Sequence, residues 1–214
     1  MMRTHATGMR LAGLATAMLL GLALGACGAA TRTAAPPTAE SPKPLPPDMT
    51  GRPVMILPAQ LAPGGRRDPQ TGEVVAGLDL ELAYWLEDRG PRVRWTFPAE
   101  LREALRRNAM LRIDIDALAV GSFHRAQVKN IGDPLLGDLR RLGAVVDARW
   151  AIVPVAATWV ERADGARVEV AVAIIDTVGG RVLWYGIMAG EPAPVGSREG
   201  AASAARAVAR ALLP

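Results

Sequence analysis

The chain has 214 residues, with 25 basic and 21 acidic side chains, one cysteine and two histidines. A single cysteine excludes an internal disulfide, and so few sulfur and imidazole ligands exclude the usual zinc sets and cysteine- or histidine-dependent triads. The net charge of +4 is dispersed through arginine pairs such as Arg66-Arg67, Arg106-Arg107 and Arg140-Arg141, which argues against a nucleic-acid interface, where charge clusters and interleaves with aromatics.

The chain opens with Arg3 and Arg10 and no acid, followed by an uncharged run rich in Leu and Ala over residues 11–26. That run is studded with glycine, shorter than the roughly 20 apolar residues of a spanning helix, and closes on small residues before a cysteine. We expect a secretory signal over residues 1–26. The order Leu24-Gly25-Ala26-Cys27 resembles the bacterial lipoprotein signal, which implies cleavage before Cys27 and acylation of that cysteine. Two or more acyl chains, at about 0.8 kcal/mol per buried methylene, hold a protein on a membrane where one does so only marginally. Gly28 stands where an aspartate would retain an enterobacterial lipoprotein in the inner membrane, so the expected address is the outer membrane, facing the periplasm. An uncleaved signal anchor is the alternative.

Residues 27–50 carry Pro36, Pro37, Pro42, Pro44, Pro46 and Pro47 among Ala, Thr and Ser, a composition that favours an extended tether over a packed core. Residues 51–214 are enough for one core and hardly for two, so a single globular domain is expected.

Within it, residues 54–57 read as a short buried strand. Residues 59–77, with Gly64-Gly65-Arg66-Arg67-Asp68-Pro69, read as a long surface loop whose spacing fits no phosphate-binding pattern. Leu78, Leu82, Trp85 and Leu86 predict a helix over residues 79–89, stopped by Gly90-Pro91. Residues 93–97 alternate as a strand, and Pro98 opens a second helix that buries Leu101, Ala104 and Leu105. Residues 110–132 are poorly legible, although Ile113 and Ile115 alternate with Asp114 and Asp116, placing both carboxylates on one face of a strand.

Asp133-Pro134 predicts a helix start, and Leu135, Leu139, Leu142 and Val146 continue one stripe. Residues 149–161 then turn β-branched and aromatic. Ala163-Asp164-Gly165 is a hairpin signal, Val168, Val170, Val172 and Ile174 give a period-two strand, and a second turn at residues 177–180 leads into the strand of residues 181–188. Ser197 caps a final alanine-rich helix with Arg198, Arg206 and Arg210 on its wet side. The order describes an α/β (α+β) fold: a mixed sheet whose C-terminal half is an antiparallel three-stranded meander, with helices packed on it.

This arrangement resembles the envelope lipoprotein domains that include the amino-terminal domain of TolB, LpoB and CsgG. The resemblance is carried by Val54-Met55-Ile56-Leu57-Pro58, by the helix ending Arg89-Gly90, by the run Asp147-Ala148-Arg149-Trp150-Ala151-Ile152-Val153, and by Ile175-Asp176-Thr177-Val178-Gly179-Gly180-Arg181-Val182-Leu183-Trp184. It implies a scaffold, activator or assembly part.

Candidate chemistry is sparse. His124 has no partner motif. Asp114 and Asp116, two apart on one strand, would lie too close and too parallel to flank a bond. Trp85, Trp95, Trp150, Trp159 and Trp184 could build a glycan or apolar-ligand platform, or pack in the core. We expect no enzyme activity, no cofactor and no metal, and two readings: an interaction module that binds the membrane through Cys27 and envelope proteins through a sheet edge or the loop of residues 59–77, or a ligand-binding lipoprotein that uses the tryptophans.

Overall fold

The apolar run that begins at Pro53 supplies a central strand. In the computed structural model, which describes residues 45–61, 69–124 and 128–214, β1 (Pro53–Ile56) lies between β2 (Arg94–Thr96) and β3 (Trp150–Arg162), parallel to both. β3, β4 (Gly165–Asp176) and β5 (Val182–Ala189) run antiparallel in turn, giving the sheet order β2-β1-β3-β4-β5. The expected mixed sheet and meander are present in the expected element order, with α1 (Pro69–Arg89), α2 (Pro98–Arg107), α3 (Leu135–Val146) and α4 (Arg198–Leu212).

β1 reads as an unbroken apolar run because both of its faces are covered. Val54 and Ile56 join a core with Leu78, Leu82 and Leu86 of α1 and with Ala201, Ala204, Ala205, Val208 and Leu212 of α4. Met55 and Leu57 join a second core on the opposite face, with Leu101 of α2 and Leu135, Leu139 and Leu142 of α3. The small side chains of α4 let it lie close to its neighbours: a methyl group on Gly77 of α1 would stand 4.0 Å from the Ala201 Cβ. Around that seam Arg198 pairs with Glu81 at 3.1 Å, and the Arg206 guanidinium lies 4.6 Å over the Trp85 ring.

Local chemistry sets the ends. Pro98 opens α2 while the Glu100 carboxylate accepts the Phe97 amide at 2.8 Å. The Ser197 hydroxyl accepts the Gly200 amide at 3.3 Å and starts α4. Asp133 accepts the Gly137 amide at 2.9 Å at the start of α3. The β3–β4 hairpin closes on Ala163-Asp164, with Gly165 at φ +124°, where a side chain would be strained.

Three expectations change. Residues 69–77 belong to α1 instead of forming a loop: Pro69 is compatible with a first helical turn, and Gly77 lies against Ala201 of α4. Residues 113–116 are not a strand; with short 3-10 turns at Ala109–Leu111 and Val120–His124 they form an irregular cover whose Ile115, Leu118, Val120 and Phe123 are buried on the α2–α3 face. Met49, inside the expected tether, is 2% exposed and belongs to the α1–α4 core. Residues 62–68 and 1–44, including Leu24, Gly25, Ala26 and Cys27, lie outside the described residues.

Candidate functional site

β5 is an edge of the sheet, and its sequence Val-Leu-Trp-Tyr-Gly-Ile-Met-Ala carries no charge and no proline. Natural edge strands are usually blunted by charge, proline or a covering element, because an open row of amides and carbonyls invites another strand. Among the described residues only the start is covered. The Val182 amide donates to the Lys129 carbonyl at 2.9 Å and the Ile131 amide to the Gly180 carbonyl at 2.8 Å, so residues 129–131 lie along residues 180–182 and stop there.

Beyond that point the inner and outer sides of β5 follow from one bond. The Gly190 amide donates inward to the Val168 carbonyl at 2.9 Å, so by the two-residue period of a strand the amides of Tyr185, Ile187 and Ala189 face outward. Ile187 is 59% exposed. Beside it runs a groove of about 630 Å³, walled by Val128 and Lys129 on one flank and Ala211 of α4 on the other, with Leu183, Ile187 and Met188 along its floor.

The strand is fixed from within. Trp184 is 8% exposed and its indole lies over Gly186, where an added Cβ would meet the ring at 2.6 Å. On the other face Tyr185 stacks on Phe123 with ring centroids 6.0 Å apart, and burial pushes its phenol above the ordinary value.

The sequence-predicted carboxylates do not form a reactive pair. Asp114 accepts the Asp116 amide at 3.0 Å, an Asx turn, and Asp116 is bound by Arg102 at 2.6 Å. The side chain of His124 lies outside the described residues. The tryptophans are dispersed: Trp85, Trp95, Trp150 and Trp159 are half-buried around the α1–α4 core, Trp150 under Arg52 at 4.6 Å and Trp95 beside Phe97 at 6.2 Å. They do not converge on the β5 groove.

Two polar residues stand out: Gln60, which sequence reasoning passed over, and Asp79, read as a helix start and found inside α1. Gln60 is 3% exposed and fully engaged: its amide nitrogen donates to the carbonyls of Pro58 (2.8 Å) and Ile115 (2.9 Å), and its oxygen accepts the Leu118 amide at 2.9 Å. Asp79 accepts the Ala59 amide at 2.8 Å; burial pushes its carboxyl up to about 6, against the pull of that bond and of Arg102, with Asp116 adding to the rise. Among the described residues, no helix is long and apolar enough to cross a membrane.

No family model matches the chain, and no curated protein is similar to it. Among solved structures, the chain is similar to the lipoprotein GNA1162 of Neisseria meningitidis, with 13% identity and a TM-score of 0.38 over 65% of this chain and 81% of that one. It is also similar to PelC of Paraburkholderia phytofirmans, solved as a dodecamer, with 16% identity and a TM-score of 0.37 over 79% of this chain and 94% of that one. Likenesses this loose carry no argument about activity or assembly, and they do not establish the resemblance to TolB, LpoB and CsgG.

Proposed function

We propose that this chain is a non-enzymatic docking module of the cell envelope, held on the periplasmic side of a membrane through acylated Cys27. The open edge of β5 carries this reading: an uncharged, proline-free strand with outward amides at Tyr185, Ile187 and Ala189, beside an apolar groove. Strand addition to such an edge gets its affinity from main-chain hydrogen bonds and its selectivity from the side chains of the groove. The dispersal of the tryptophans favours docking over a stacked-ring ligand platform.

The test is the size of the complex extracted from membranes in mild detergent. The chain should migrate above its single-copy size, and Ile187→Lys, at a position too exposed to disturb the core, should bring it down to that size. Migration of the unaltered chain as a single copy would refute docking. The anchor is tested separately by Cys27→Ser.

A further inference from the structure

We infer that the occupant of the β5 edge is a second copy of this chain, its β5 paired antiparallel to the first about a two-fold axis. This rests on the docking reading and goes beyond it in naming the partner.

The argument comes from what stands at the two ends of the strand. Lys129 lies at the start of the groove, beside Val182 and next to exposed Arg181. Glu191 lies just past the far end, exposed, with its amide tied to the Ser203 hydroxyl at 3.1 Å. Among the described residues neither Lys129 nor Glu191 is in an ion pair. They are separated by the length of β5, roughly 26 Å at 3.3 Å per residue, so they cannot reach each other within one chain. Reversing a second strand against the first brings the basic end of each copy to the acidic end of the other, twice over, while the uncharged middle pairs with itself. A parallel arrangement would set like charges together at both ends.

The opposite edge is a poorer target. β2 has three residues, so a head-to-tail contact between β5 and β2 would pair fewer of them. A two-fold contact consumes both open β5 edges and closes, whereas a head-to-tail one leaves an edge for further growth. Two sheets of five strands become one of ten, with the amides of Tyr185, Ile187 and Ala189 in each copy supplied with acceptors. Confinement to one membrane would raise the effective concentration of the pair.

The experiment is photo-crosslinking in cells that express two full-length copies with different epitope tags, the photoreactive residue replacing Ile187 in one of them. An adduct at twice the chain mass that carries both tags is expected. Lys129→Glu or Glu191→Lys alone should lower its yield about fivefold, on the scale of two exposed ion pairs made repulsive, and the two combined in every copy should restore it. An adduct with one tag and a different mass would overturn the second-copy assignment and leave docking standing. No adduct would overturn both, and failure of the combined variant to restore the yield would overturn the antiparallel arrangement.

Discussion

The side-chain oxygen of Gln60 accepts a hydrogen bond from the amide of Leu118 at 2.9 Å, joining positions 58 residues apart. Through this residue the irregular cover of residues 112–119 is tied to the extension of β1 along β3, since the Gln60 amide donates to Pro154 and its carbonyl accepts from Ala157. Replacing it by methionine keeps the volume and strands the Leu118 amide and the carbonyls of Pro58 and Ile115 in a buried setting. We predict a loss of about 3–5 kcal/mol from three unmet backbone groups, measured by urea unfolding. A change below about 0.5 kcal/mol would show that the cover is held by its apolar residues alone.

Gly186 is predicted to tolerate no side chain. A Cβ there would meet the Trp184 ring at 2.6 Å, and that ring is buried in the core. Gly186→Ala should cost about 1–3 kcal/mol and alter the Trp184 environment, seen as a shift in near-ultraviolet circular dichroism. An unchanged spectrum and midpoint would mean that the ring does not rest on this glycine.

Asp79 should give stability a slope with pH. Its folded-state carboxyl sits at about 6 against an ordinary 3.8, so between those values the folded chain binds more proton than the unfolded one. Stability should therefore be highest below about pH 4 as far as this group is concerned, and fall as pH rises through 6. Asp79→Asn, which can still accept the Ala59 amide, should flatten that slope and raise the unfolding midpoint at pH 7. An unaltered slope would place its origin elsewhere.

Much of this fold was legible because its strands obey simple periods. Val168, Val170, Val172 and Ile174 alternate cleanly because one side of β4 meets α1 and α4, and Ser197 announces α4 by a cap that the structure contains. Residues 110–132 resisted because Ile115, Leu118, Val120, Phe123 and Ile131 are buried at spacings that fit neither a helix nor a strand. Gln60 was invisible because nothing local distinguishes a buried glutamine; two of its three side-chain partners, Ile115 and Leu118, are more than fifty residues away. The candidate site was half legible. The uncharged sequence of β5 was there to read, but its place at the edge follows from β1 pairing with β3 and not with β5, a matter of strand order.

Cys27→Ser should leave the folded body unchanged and release it from membranes. Washed membranes pelleted at high speed would retain the unaltered chain and lose the variant; retention of both would contradict the lipid anchor.

The most direct test of the docking edge is amide hydrogen exchange across β5, read by mass spectrometry on a peptide spanning Val182–Ala189. In purified chain at high dilution, the outward amides of Tyr185, Ile187 and Ala189 should exchange much faster than the inward ones, and in native membranes they should become protected. Equal exchange in the two states would contradict the account, whatever else binds this protein.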